Sequence, residues 1–293
     1  MNVRRILVPL DGSRLAEAAL PMAASAAKAL KARLVLVHVL ERDAPERVHG
    51  EPHLTDASEA RGYLESHASR LRGERVDAEV DVHKRPVRDV AVAIDEHVHE
   101  LDADLIAMCA HGRTNLRDRG LGTIAEQILR GGSVPILLRT VRRPGDGGFR
   151  PRRLLVPIDF EHDVEEALDT ARTFAKPYGA AVTLLTVPEP APEPTRKLLP
   201  SASALAHEYE RENAQRRLDE VAGQLRAAGF DANAIVTDER PSEAIARASE
   251  SLPAELIVLV TDVHGGLSSW YDPSTLQRLL ALPELTLLLI KEL

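Results

Sequence analysis

Cysteine occurs once in the sequence, at Cys109, and that rules out an internal disulfide. Aromatic residues are scarce, at 3% of the chain. A core therefore has to be assembled from Ala, Val, Leu and Ile, a composition better suited to parallel strands buried between helices than to an aromatic-rich sandwich. No apolar run reaches the roughly 18 residues that a membrane-spanning helix needs. Positive charge is in deficit, with 37 Lys and Arg against 45 Asp and Glu and a formal net charge of -8. That balance argues against a general binder of nucleic-acid backbones. No secretory apolar segment precedes the first apolar run, Ile6-Leu7-Val8, so a cytoplasmic chain without membrane attachment is expected.

Several chemical signatures are missing as well. There is no Gly-x4-Gly-Lys-Ser/Thr phosphate loop, no Gly-x-Ser-x-Gly elbow and no His/Cys cluster at metal-ligand spacing. Gly120-x-Gly122-x-x-Ala125 has the spacing of a dinucleotide fingerprint but not its context, because a long loop separates it from the preceding strand. No residue is assigned a catalytic role and no metal ligand is expected.

What the chain does have is a repeat. Arg4-Arg5-Ile6-Leu7-Val8-Pro9-Leu10-Asp11 returns as Arg152-Arg153-Leu154-Leu155-Val156-Pro157-Ile158-Asp159. In the same register, the strand-like run 34–39 answers 182–187, Arg85-Pro86 answers Arg240-Pro241, and Ala103-Asp104-Leu105-Ile106 answers Ala254-Glu255-Leu256-Ile257. The Gly/Pro-rich stretch after Arg142 reads as a linker. The division expected is one domain over 1–141, a linker over 142–151 and a second domain over 152–293.

Within the first half, short apolar runs at 5–10, 33–40, 78–83, 103–109 and 134–139 read as buried strands. Segments with helical spacing fall near 14–31, 57–72, 87–100 and 123–131, with Ser13 as a cap for the first and Gly131-Gly132 ending the last. The second half repeats the alternation, with a long helix near 204–228. Strand–helix alternation implies right-handed crossovers and a parallel sheet, hence an α/β fold of two tandem doubly wound domains.

Ligands of such sheets bind beyond the carboxyl ends of the strands, where the strand order reverses. The stretch after the fourth strand stands out, from Cys109 through His111-Gly112-Arg113 to Gly122-Thr123-Ile124. Glycines allow close backbone approach. A helix starting at Thr123 would offer free N–H groups and a favourable dipole to a phosphate, and Arg113 adds positive charge. Asp11, beside Gly12-Ser13, reads as a ligand residue, whereas Asp159 reads as structural. His38 is expected to pack or to meet the neighbouring domain, and His111 to be solvated. Lone buried cysteines are usually inert, so Cys109 is not read as a redox sensor.

On these residues the chain resembles the universal stress protein family. That family carries Gly-x2-Gly-x9-Gly-Ser/Thr after strand four, and this sequence reads Cys109-x2-Gly112-x9-Gly122-Thr123. Val8-Pro9-Leu10-Asp11-Gly12-Ser13, His38-Val39 and Val134-Pro135-Ile136-Leu137-Leu138 also look like the family. The resemblance implies five-stranded, Rossmann-like sheets of the adenine nucleotide alpha hydrolase type, in order 3-2-1-4-5. It implies that the halves pack as an internal pseudo-dimer through 134–139 and 285–290, with a homodimer of the chain also in keeping; the protein partner is unknown.

By position, Pro9, Leu10, Asp11 and Val39 would line the adenine and ribose side of an ATP site. Met108, Cys109 and Gly112 would pass beneath the nucleotide, and Gly122, Thr123 and Ile124, with Arg113 near, would meet the phosphates and their Mg²⁺. Cys109 stands where the family has Gly and would crowd the ribose. In the second half Pro273-Ser274 replaces the Gly-Ser/Thr pair and Asp262 brings negative charge, so ATP is expected in the first domain only. The function implied is a nucleotide-responsive stress protein. The alternatives are a nucleotide-free scaffold and, at most, a slow ATPase.

Overall fold

A computed structural model of the chain describes every residue except 49, 84, 112–122, 142–147, 161–163, 189–199, 253, 262–275, 277, 281, 283–284 and 292–293. The first half runs β1 (Arg5–Pro9), α1 (Arg14–Glu17), α2 (Leu20–Leu30), β2 (Arg33–His38), β3 (Arg47–Val48), β4 (Glu51–Pro52), α3 (Ala57–Gly73), β5 (Ala78–Val82), α4 (Val90–Glu100), β6 (Leu105–His111), α5 (Thr123–Gly131) and β7 (Ile136–Val141). Its main sheet has the order β5-β2-β1-β6-β7, all pairs parallel. Counted along the main sheet, that is third-second-first-fourth-fifth. Central strands are buried on both faces, as their unbroken apolar runs require: Ile6, Leu7, Val8, Leu34, Leu36, Leu105 and Ile106 have no accessible surface. Each such side chain contributes about 1.5–3 kcal/mol relative to exposure.

Local chemistry sets the element ends. The single helix expected over 14–31 is two helices, α1 and α2. Pro21, in the first turn of α2, has no N–H for the carbonyl of Glu17, so the ladder breaks there. Ser13 caps α1 by accepting from the Ala16 N–H at 3.2 Å. Asp56 caps α3 by accepting from the Ser58 and Glu59 N–H groups, and Asp89 caps α4 by accepting from Val92, which is why α4 starts later than position 87. Helix α5 ends where the Gly132 N–H reaches the Ile128 carbonyl; a Cβ on Gly132 would lie 2.5 Å from that oxygen.

The second half runs β8 (Arg153–Pro157), α6 (Val164–Tyr178), β9 (Ala181–Thr186), α7 (Pro200–Ala227), β10 (Ala232–Val236), α8 (Pro241–Ser251), β11 (Leu256–Thr261) and β12 (Thr286–Lys291). Here β10-β9-β8-β11 form consecutive parallel pairs. Both halves are thus the α/β fold read from the repeat. Strand β12 behaves differently. It pairs antiparallel with β7, Thr286 opposite Arg139 through Leu289 opposite Ile136. Thr140 ties the approach to β12: its N–H donates to the Leu285 carbonyl at 2.8 Å and its Oγ1 accepts from the Leu285 N–H at 3.0 Å.

By compactness the chain divides into Met1–Arg150 with Val260–Gly266 and Gln277–Leu293, and Pro151–Leu259 with Leu267–Leu276. The first compact unit therefore draws its sixth main-sheet strand, β12, from the far end of the chain. Among the described residues no helix is long and apolar enough to cross a membrane.

Candidate functional site

A cleft of about 210 Å³ opens beyond the carboxyl ends of β1, β2 and β6. This is the point where the sheet order reverses, since the chain leaves β1 towards β2 on one side and β6 lies on the other. Pro9, Leu10 and Asp11 form one wall, Val37, His38 and Val39 the next, and Met108 and Cys109 the floor. Val90 and Ile94 of α4 and Ile124 and Ala125 of α5 close the far side, while Val48 and His53 arrive from the β3–β4 ribbon and its exit.

Seven of the residues singled out from the sequence meet here: Pro9, Leu10, Asp11, Val39, Met108, Cys109 and Ile124. Thr123 is the first residue of α5. Gly112, Arg113 and Gly122 lie outside the described residues, as do Asp262, Pro273 and Ser274 of the second half. Sequence reasoning did not find His53, Val48, Glu41, Val90 and Ile94. Val90 and Ile94 were inside a segment read as helical, and their spacing of four already put them on one face.

Asp11 has two duties. Its Oδ1 accepts from the Ser13 N–H at 2.9 Å and the Ser13 hydroxyl at 2.6 Å, which aims Ser13 at its capping position, and its side chain also lines the cleft. Between them Gly12 takes φ +88°, and a Cβ there would stand 2.9 Å from Leu54 Cγ, so glycine is needed for both reasons. His38 is 1% exposed and bridges two backbone carbonyls, Leu10 at 2.7 Å from Nδ1 and Leu54 at 3.0 Å from Nε2. It packs, as one of its two expected roles required.

Cys109 is the chain's only free thiol. Burial pushes it up to about 12, against a smaller opposing pull from the Arg139 guanidinium, its register partner on β7. It stays protonated at neutral pH, so it presents bulk to the cleft and not a nucleophile. On α4, His97 Nδ1 lies 3.3 Å from Asp81 and its Nε2 3.0 Å from His83 Nδ1. Burial lowers the His97 pKa more than Asp81 raises it. Towards α1, Tyr63 donates to Glu17 at 3.1 Å, and burial followed by the Glu17 charge raises its pKa. Among the described residues no group of three or more His, Cys, Asp or Glu could hold a metal ion.

In the second half the position repeated from Gly12 is Phe160, and the Arg217 guanidinium stacks 4.0 Å over its ring. Asp159 is 8% exposed, in keeping with its structural reading. Thr186, at the repeat position of His38, donates to the Ile158 carbonyl at 2.8 Å.

Two stretches, residues 2–139 and 151–291, match the universal stress protein family. No curated protein matches the chain. Among solved structures it is similar to a universal stress protein from Archaeoglobus fulgidus DSM 4304, with 19% identity, TM-score 0.72, and 98% of this chain and 96% of that one covered. It is also similar to a functionally unknown protein from Pseudomonas aeruginosa PAO1, with 20% identity, TM-score 0.66 and coverage of 99% and 92%. A putative universal stress protein from Pseudomonas aeruginosa UCBPP-PA14 matches at 20% identity, TM-score 0.64 and coverage of 99% and 93%. At these identities the likeness is one of fold.

Proposed function

The chain belongs to the universal stress protein family through both of its halves, and from that premise we propose that its first half binds one adenine nucleotide, ATP with Mg²⁺, and acts by the conformation and partner choice that occupancy sets. The observation that carries this reading is the cleft itself. It lies at the reversal of strand order, and seven residues carried over by position from the family's site line it.

Its chemistry supports a base more than a sugar or a peptide. The lining is mostly apolar, and the carboxylates of Asp11 and Glu41 lie in it, that of Glu41 as an acceptor for an amino group. Those carboxylates repel a polyphosphate, which orients it towards the start of α5 at Thr123, where a helix N-terminus and its dipole favour negative charge. The volume is below the roughly 300–1,000 Å³ of pockets that enclose a whole drug-sized ligand, so only the base and part of the ribose are accommodated, and the phosphates extend past Cys109. The Mg²⁺ would be held mainly by phosphate oxygens and water, as that ion prefers.

The second half fails the same test, because a phenyl ring replaces Gly12 and Pro273 replaces a donor. One nucleotide per chain is therefore expected from calorimetric titration with Mg·ATP, together with adenine nucleotide in the mass spectrum of material released from purified protein. A stoichiometry near two, or no heat at millimolar ATP, would rule the proposal out. Gly122→Val should weaken binding by at least about tenfold, or roughly 1.4 kcal/mol, at unchanged circular dichroism. The bulk of Cys109 in the cleft favours one second reading, a nucleotide-free scaffold acting through its surface in the cytoplasm; the null titration is its signature.

A further inference from the structure

His38 holds together two segments that approach the cleft from opposite sides. Its Nδ1 is 2.7 Å from the carbonyl of Leu10, at the exit of β1, and its Nε2 is 3.0 Å from the carbonyl of Leu54, just past the β3–β4 ribbon. Both partners are carbonyl oxygens, which only accept. A neutral imidazole has one N–H and leaves its other nitrogen, a lone pair, facing one of those oxygens. The imidazolium has two N–H groups and satisfies both. With the ring 1% exposed, no solvent is at hand to rescue an unpaired carbonyl.

What Leu54 carries gives this a consequence. The Leu54 side chain sits on the Gly12 turn, and His53 and Val48 of the same segment line the cleft. We propose that His38 is a proton-operated latch: doubly protonated, it fastens the ribbon residues 50–54, with Val48, beside the cleft that Val48 and His53 line, and on losing one proton it lets the Leu54 carbonyl go and these residues lift. Closure takes up a proton, so acidification closes the cleft and a rise in pH opens it. This goes beyond nucleotide binding and holds whether or not a nucleotide binds.

Other charges that face the site belong to the same picture. Asp11 after β1 and Glu41 after β2 line the cleft and face the same space. The protonated thiol of Cys109 on β6 adds no charge. His53 meets the His38 ring edge-on with centroids 6.5 Å apart. His83, after β5, donates its backbone N–H to the His38 carbonyl, while its ring turns to His97. From α1, α4 and α5 the lining is apolar: Leu15, Ala16, Val90, Ile94, Ile124 and Ala125. A second tie holds the same segment: Glu51 accepts from the Arg14 N–H at 2.6 Å and pairs with its guanidinium.

The test uses the full chain without nucleotide. Long-range ¹H–¹⁵N spectra of the histidine rings should find both His38 nitrogens protonated at about pH 5.5 and only one at about pH 8. Amide exchange across residues 47–56, corrected for intrinsic rates, should slow by at least about tenfold over the same interval. His38→Gln, which cannot titrate, should abolish that dependence, and His53→Asn should keep it. The proposal is overturned by a His38 ring that holds one proton at both pH values, by a pH dependence that survives His38→Gln, or by one that disappears with His53→Asn. Should His38→Gln fail to fold, the ring spectra of the native chain decide alone. Because no nucleotide is present, a failed latch and a failed nucleotide site give different records.

Discussion

Cys109 lines the cleft, at the position where the resemblance to universal stress proteins implies a glycine. Cys109→Gly is expected to tighten ATP binding by freeing the space of Cβ and Sγ while costing about 1 kcal/mol of stability through lost packing and added chain entropy; affinity and Tm measured on one sample separate the two effects. Because burial holds the thiol protonated up to about 12, native protein at about pH 8 should react with iodoacetamide at least about 100-fold more slowly than urea-unfolded protein. Gly12 is just as confined. Gly12→Ala forces a Cβ against Leu54 at positive φ and should lower the urea-derived stability by about 1–2 kcal/mol.

His97 sets a pH dependence of its own. Its pKa is lowered in the fold, so below about pH 6.5 the unfolded chain takes up a proton that the folded chain refuses. The stability this gives is complete above that value and is lost as the pH falls towards the folded pKa. Urea midpoints should drop from about pH 7.5 to about pH 5.5, and less so in His97→Gln.

Among the elements, the strands of the first half were the most legible. They are buried on both faces, and such strands announce themselves as unbroken runs such as Ile6-Leu7-Val8. Helix ends were less so, since Pro21 and Asp89 act through single hydrogen bonds that periodicity does not register. The β3–β4 ribbon left no trace in the sequence. Two residues a strand, Arg47-Val48 and Glu51-Pro52, are too few for any alternation, and so His53 and Val48 could not be placed at the cleft, whereas Asp11 and Cys109 could, because strand ends fix them. Thr140 is the sharpest probe of an element junction. Thr140→Val keeps the shape but strips the acceptor from the Leu285 N–H, and should cost about 1–3 kcal/mol by chemical denaturation, the usual range for a buried group left unpaired.

At the scale of the molecule, the first compact unit borrows β12, whose residues Thr286 to Ile290 are buried. A fragment ending at Arg150 would leave β7, with Ile136, Leu137 and Leu138, as a bare apolar edge. Such a fragment is expected to self-associate or precipitate, and sedimentation velocity at rising concentration would reveal it. A monomer that stays soluble at about 100 μM would show that β7 needs no cover, against the usual behaviour of long apolar edges.

That borrowed strand also imposes an order on biosynthesis. The ribosome completes β7 at Val141 and does not reach β12 until Thr286. At about 5–20 residues per second the gap lasts on the order of ten seconds, far longer than a hairpin takes to form. Throughout it the nascent chain carries an open sheet edge that its own distal sequence has yet to close. A message cut short before β12 yields a polypeptide marked by that edge for chaperones and proteases, so pairing of β12 with β7 separates chains that reached Thr286 from those that did not.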